Sequence, residues 1–380
     1  MPNSIYGDSV VNSYPLPFCH CEECGLTQIG VRLNRELVFP HTYPYLSGMT
    51  NSLLMNFAEQ AEQVSTYMQL TKEDLVIDIG SNDGSLLKNY GEISKVLGVE
   101  PTQAADLANS NNIPTLNVYF DNDATRIIES SHGKARVVTA CNVFAHIDDI
   151  PGLLSNIEKI LAPDGIFVSE SHYLLDLVKT LQFDTIYHEH LRYYTVTFLI
   201  KMFTSNGYSV FRIDPTPSHG GSIRVWACRL GQRPIEESVQ KYLEMEADAK
   251  IYEKTTLENF AKEVKIWRNQ FRELFAKLQL EGAVIGGLGA PSRASTLVAF
   301  AGLTELDLIG VGEVSNSGKL GKNMPGTRIP VVTEEVLLGL NPSHLLILSW
   351  HIKETIMVAL RNKGYRGKFI VPLPYLTEVD

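Results

Sequence analysis

The densest run of acid–base groups in the chain is Tyr187-His188-Glu189-His190. Histidine titrates near neutral pH, and a carboxylate and a phenol beside it can orient the ring and stabilise charge that develops as a proton moves. The same four residues would also suit a polar surface strand. They suit a metal centre less well, since the run supplies only two histidines. A second chemical feature lies upstream, in Val76-Ile77-Asp78-Ile79-Gly80-Ser81-Asn82-Asp83-Gly84. There an acidic residue ends an apolar run, and glycines let a ligand come close to the backbone. Glu100 ends the next apolar run, where a carboxylate can accept both hydroxyls of a ribose.

Two kinds of ligand compete for this loop. A dinucleotide needs a G-x-G-x-x-G turn that sets its pyrophosphate on a helix N-terminus. Here Asn82 and Asp83 stand between the glycines, and Asp83 would repel a phosphate. An aminoacyl sulfonium nucleoside carries no phosphate, and its ammonium group is drawn to acid. Charge therefore selects S-adenosylmethionine as the ligand of Asp78, Gly80, Asn82, Asp83 and Glu100. Asp121, in VYFDNDAT, is placed to hold the adenine amino group. Asn142 and His146, in CNVFAHIDD, follow the next apolar run at the edge where such ligands bind. The turn LAPDGIFVSE resembles the closing element of class I methyltransferases.

The elements that must position these groups follow from apolar patterning. Leu75–Ile79, Val96–Val99, Val137–Ala140 and Ile166–Ser169 read as buried strands alternating with helices, the last after a turn at Ala162–Gly165. Ser209–Ile213 and Ile223–Arg229 complete an antiparallel edge. The expected fold class is therefore α/β: a Rossmann-like, doubly wound class I methyltransferase sheet, with a second Rossmann-like α/β unit behind it. The spans are a small irregular N-terminal module over 1–50, the methyl-donor domain over 51–233, a helical connector over 234–281 and a C-terminal α/β domain over 282–380. That last unit starts with AVIGG and continues through Leu308–Val311, Leu345–Leu348 and Phe369–Val371.

Bulk properties narrow the function class. At 380 residues the chain is long for one core. A net charge of -10 with no basic cluster argues against a nucleic-acid partner. No run is apolar and long enough for a signal peptide or a membrane span, so the expectation is a cytoplasmic protein with no membrane partner, acting as a monomer or homodimer.

Read in order, the motifs resemble those of the S-adenosylmethionine-dependent C-methyltransferases that act on nucleotide-linked 4-keto deoxysugars. The resemblance rests on CEECGL, Tyr-x-Tyr-x-Ser at Tyr43–Ser47, DIGSNDGSLL, NVFAHIDD, YHEHLRYYT, HGGSIRV, GAPSRASTL, MPGTRIPV, and LILSW followed by His351. It implies that His190 removes the proton next to the sugar ketone, with Tyr187, Glu189 and either Tyr43 or Tyr45 around the reacting sugar. It also implies substrate contacts at His219 and Arg224, and a nucleotide-sugar site using Gly289, Ser292 and Arg293. Against this, the glycines of both motifs would serve equally as structural turns. The resemblance further implies a structural zinc site built from two Cys-x-x-Cys pairs. Cys21-x-x-Cys24 matches one pair, and Cys19 with His20 or His41 could complete a different donor set. Two readings compete with sugar C-methylation: an O- or N-methyltransferase on another small molecule, and a binding protein without catalysis.

Overall fold

A computed structural model of the chain describes residues 13–380. Strands β1 (Phe18–His20) and β2 (Thr27–Ile29) pair antiparallel at the N-terminal end. After the helix Asn51–Met68 come β3 (Leu75–Ile79), β4 (Lys95–Val99), β5 (Thr115–Leu116), β6 (Ala135–Cys141) and β7 (Leu161–His172), all mutually parallel. The short β8 (Arg192–Tyr193) pairs with β2 and ties the N-terminal module to the stretch that carries His190. Strands β9 (Tyr208–Thr216) and β10 (Ser222–Arg229) close the main sheet, whose order is β5-β4-β3-β6-β7-β10-β9, with β10 antiparallel to both of its neighbours. A parallel sheet with one reversed strand near its far edge is the class I methyltransferase arrangement.

Period-two alternation assigns the two faces of this sheet. Val76, Val137, Ile166, Val168, Trp226 and Cys228 turn to one side and meet Leu53, Phe57, Ala61, Val64 and Met68 of the helix Asn51–Met68. Ile77, Val138, Phe167, Val225 and Ala227 turn to the other side and join the larger core. Each Val, Leu, Ile, Phe or Met side chain among them, fully buried, contributes roughly 1.5–3 kcal/mol. The expected turn at Ala162–Gly165 does not separate helix from strand. Strand β7 already pairs at Leu161 opposite Ala135, and the next matched pair is Val137 with Ile166, so the intervening residues bulge out of the ladder.

The connector consists of the helices Glu237–Asp248 and Lys254–Leu280. The longer one buries Phe260, Trp267, Phe271, Phe275 and Leu278 along one stripe. Beyond it, β11 (Ile285–Leu288), β12 (Val311–Glu313), β13 (Val331–Thr333), β14 (His344–Ile347), β15 (Lys368–Val371) and β16 (Thr377–Val379) form a second sheet in the order β13-β12-β11-β14-β15-β16, antiparallel only at β16. The strand expected at Leu308–Val311 therefore starts at the end of that stretch. Among the described residues no helix is long and apolar enough to cross a membrane.

Arg224, expected beside the substrate, lies inside the fold instead. On β10 it sits directly across from Glu170 of β7 and pairs with that carboxylate at 3.2 Å. It also donates to Asn56 Oδ1 at 2.9 Å and Gln63 Oε1 at 2.8 Å. Asn56 Nδ2 completes the ring of contacts by donating to Glu170 at 2.8 Å. An arginine 1% exposed, whose two terminal nitrogens reach three side chains, is a packing element that welds the helix to the sheet. Arg224→Met leaves Glu170 buried without its cation, which should lower unfolding stability by about 3–5 kcal/mol. The measurement is a drop in the urea midpoint, and adding Glu170→Gln to the same chain should recover part of the loss.

Candidate active site

His190, which closes the Tyr-His-Glu-His run, has a defined proton arrangement. His190 Nδ1 lies 2.9 Å from the carbonyl oxygen of Thr185, which can only accept, so the proton of the neutral ring sits on Nδ1. Nε2 is then an acceptor, and the Tyr187 hydroxyl donates to it at 3.0 Å. Burial holds His190 well below the ordinary histidine range, with His146 adding to the effect. Glu189, next in the chain, receives the Tyr43 hydroxyl on Oε2 at 2.8 Å, while its Oε1 is buried without a partner. Desolvation raises the Glu189 carboxyl, and raises the Tyr43 phenol well above its usual value, helped by the nearby carboxylate.

Tyr43 is buried against Glu189 and Phe39 and bonds the carboxylate. Tyr45 is 42% exposed overall, yet its phenol end is desolvated, with Asp83 and Glu189 nearby, which raises it to about 12. Phe39 also stacks on His146 at 5.3 Å, so the Phe39–Tyr43 stretch roofs the site.

His146 stacks on His190 with ring centres 5.1 Å apart. His172, at the carboxyl end of β7, lies 4.6 Å from His190 and 5.4 Å from His219. His219 sits in a left-handed turn at φ 56°. His172 was not anticipated from the sequence, although its place at the end of a buried strand is the signal that could have found it. Burial pushes His146 and His219 down to about 4 and His351 down to about 3. For His351 and His219 the Arg293 cation adds to the shift.

At the methyl-donor loop, Gly80 is required by conformation. Its φ is 69°, and a Cβ would fall 2.5 Å from Val143. Asp78 is buried at the end of β3 and accepts the Thr139 hydroxyl at 2.6 Å. Burial, with Glu100 nearby, raises its carboxyl to about 7. Glu100 accepts the backbone N–H of Asn82 at 3.0 Å and of Thr102 at 2.9 Å, and each oxygen keeps a second lone pair for a ribose. Asn142 takes φ 56°, which aims its Oδ1 into a buried position without any partner. An unpartnered amide oxygen, a glycine that admits no Cβ and a carboxylate at the strand end fit an adenosyl amino acid.

Three of the expected donor contacts are otherwise engaged. Asn82 bridges to the N-terminal segment, accepting from Ser47 N–H at 2.8 Å and donating to the Tyr45 carbonyl at 3.0 Å. Asp83 accepts the Gly48 N–H at 2.8 Å and the Ser85 N–H at 3.2 Å. Asp121 caps the helix Asn122–Ser131 through the N–H groups of Asp123 and Ala124. Short polar side chains are the usual choice for such caps and loop staples, which explains residue types that the sequence reading gave to the ligand.

The expected zinc site does not form among the described residues. Cys21 and Cys24 hydrogen-bond each other, and no third His, Cys, Asp or Glu converges on them. Cys19 sits on β1 with its sulfur against Gly30, His20 bonds Thr27 Oγ1 at 2.9 Å, and all five cysteines are free thiols.

The C-terminal unit reaches the same site. Gly289 turns at φ 78°, but the Ala290 N–H donates to Glu313 at 3.1 Å. Arg293, expected to hold phosphate, makes a two-point ion pair with Asp184, each bond 2.8 Å long. Ser292 instead shares a recess with Ser295, Lys319, Lys322 and Asn323.

Residues 56–213 match a family described as a methyltransferase domain. Residues 217–374 match a family described as a C-methyltransferase C-terminal domain. The chain is 33% identical to the C-methyltransferase NovU of Streptomyces niveus, over 95% of this chain and 86% of that protein. The chain belongs to the S-adenosylmethionine-dependent C-methyltransferases. Among solved structures, magnesium protoporphyrin IX methyltransferase of Synechocystis with bound SAH aligns over 47% of this chain and 84% of its own, at 17% identity and a TM-score of 0.36. A methyltransferase of Anabaena variabilis aligns over 52% of this chain and 91% of its own, at 14% identity and a TM-score of 0.38.

A histidine held below its unfolded value near 6.5 gives stability that is whole above that pH and lost on acidification, because the unfolded ring binds the proton first. For His146 and His219 the window runs from 6.5 down to about 4. Asp78, raised to about 7, works in the opposite direction. The melting temperature should therefore fall on acidification through this window, and His146→Gln and His219→Gln should each flatten the slope.

Proposed function

We propose that this C-methyltransferase methylates the carbon next to the ketone of a nucleotide-linked 4-keto deoxysugar. The observation that carries the reading is the Nδ1–H form of His190, which leaves an unprotonated Nε2 as proton acceptor in a water-poor site. S-adenosylmethionine, when bound, supplies the electrophilic methyl group. His190 takes the α-proton on Nε2, and the ketone spreads the resulting negative charge onto its oxygen. Tyr187, which donates to Nε2 in the resting site, must turn its hydroxyl aside as the carbon acid approaches, and can then donate to the developing oxyanion. Tyr43 holds the Glu189 carboxylate by one oxygen, leaving the unpartnered Oε1 to orient a sugar hydroxyl.

For the nucleotide portion, the reading favours the recess of Ser292, Ser295, Lys319, Lys322 and Asn323. It combines lysines with the start of the helix Ser292–Ala301, a setting that suits a diphosphate. In this reading the protein works in the cytoplasm as a monomer or homodimer, with no nucleic-acid or membrane partner.

Hydrogen exchange tests the chemistry directly. In deuterated water the protein should exchange the proton α to the ketone of a 4-keto nucleotide sugar, and His190→Ala should slow that exchange by at least about 100-fold. Adenosylhomocysteine binding, measured by calorimetry, should survive the substitution. Methyl transfer to a hydroxyl or amine acceptor in the same panel, with no exchange, would replace this reading by O- or N-methylation.

Asp78 offers a separate check on the donor site. A ligand ammonium beside a carboxyl raised to about 7 lowers it again, so a proton is released on binding. Calorimetry of adenosylhomocysteine in buffers of different ionisation enthalpy near pH 7 should show that release, and Asp78→Asn should remove it.

A further inference from the structure

The carbonyl that fixes the His190 proton belongs to a short helical turn, Phe183–Thr185, and that turn is gripped from the C-terminal unit. Asp184, between the two, is 0% exposed and receives three bonds from the second sheet's connections. Arg293 donates from Nε and Nη2, both at 2.8 Å, and Trp350 donates from its indole nitrogen, also at 2.8 Å. Arg293 further donates to the His219 carbonyl at 3.1 Å and lies over the Trp350 ring at 4.7 Å. Thr296, one turn along the same helix, donates to the Ile186 carbonyl at 2.9 Å. Phe183 packs on Trp267 and Phe300. The turn is thus tied to the second α/β unit through Asp184 and the adjoining Ile186 carbonyl.

We propose that Arg293 and Trp350 are positioning residues for methyl transfer: through Asp184 they hold the Thr185 carbonyl against His190 Nδ1, so that the C-terminal unit fixes which nitrogen of the base carries the proton. This rests on the reading of His190 as the base. The physical logic is direct. A neutral imidazole has two tautomers, and only an acceptor held in place at Nδ1 selects the one with a free Nε2. The bidentate guanidinium–carboxylate geometry gives that acceptor a defined orientation, which an apolar contact would not. Thr185 is also anchored by the Tyr193 hydroxyl, which donates to the same carbonyl at 3.2 Å, so the arrangement pulls from both sides.

The test uses the full chain with Trp350→Phe and Arg293→Lys, each of which keeps the ring or the charge while removing a bond to Asp184. Arg272→Gln, which breaks an ion pair between the connector helix and Asp307 of the C-terminal unit, is the comparison. NMR of the histidine ring nitrogens should show His190 protonated at Nδ1 in the unchanged protein and in Arg272→Gln. It should show a mixture of both tautomers in the two variants. Turnover should fall roughly 10- to 100-fold with adenosylhomocysteine affinity unchanged. If both variants fold and match Arg272→Gln in ring signals and turnover, the proposal is wrong. If the ring signals move while turnover holds, the coupling stands and His190 is not the base.

Discussion

Four imidazoles share the heart of the site, those of His146, His172, His190 and His219, with neighbouring ring centres 4.6–5.4 Å apart. Two unit charges at ~5 Å repel by about 3 kcal/mol in a partly buried setting, so the cluster can pack only while its rings are uncharged. Burial supplies that condition, holding every one of them below the ordinary histidine range. Neutrality leaves each ring a lone pair at neutral pH, which the role proposed for His190 requires. The same desolvation that stabilises the neutral rings raises Glu189, Tyr43 and Tyr187. Proton positions in the site are thereby set by hydrogen bonds more than by solvent.

Three distant stretches supply that desolvation. The Phe39–Tyr43 segment roofs the site through His146 and Glu189. It is held down by Asn82 and Asp83, whose side chains reach from the methyl-donor loop to Tyr45, Ser47 and Gly48. The Gly80–Gly84 loop and the segment over His146 and Glu189 are consequently one hydrogen-bonded unit. The third stretch comes from the C-terminal sheet, through Arg293, Trp350 and His351.

The sequence was most legible where a residue's role is local. Strand β3 runs over the same residues the apolar pattern marks, because LVIDI is buried on both faces and needs no partner to be recognised. Gly80 was legible because a positive φ is a property of one residue. The Tyr187–His190 run was legible as an acid–base cluster, since four such groups together have few structural uses. Asn82, Asp83, Asp121 and Arg224 were assigned to ligands from type and place, but their side chains serve the fold. An Asp after a strand looks the same whether it meets an ammonium or an N–H group. Partners make the difference, and those of Arg224 and Arg293 lie 54 and 109 residues away in the chain. Asp184, Thr185 and His172 carried no motif at all, as a backbone carbonyl acceptor leaves no mark on side-chain identity.

The chemistry of the seam between the two α/β units follows from the same reasoning. A buried ion pair such as Asp184–Arg293 is weak support for stability, because desolvating both charges offsets most of their attraction. Apolar side chains of equal volume would join the units at less cost. What an apolar contact lacks is direction. The planar guanidinium meets both carboxylate oxygens, the indole adds a third bond, and together they leave the Phe183–Thr185 turn one orientation. That orientation points the Thr185 carbonyl at His190, where an error of a few tenths of an ångström would loosen the bond that chooses the tautomer. A polar seam therefore makes sense at this position for the reason that makes it costly: it specifies an angle, and the angle reaches His190.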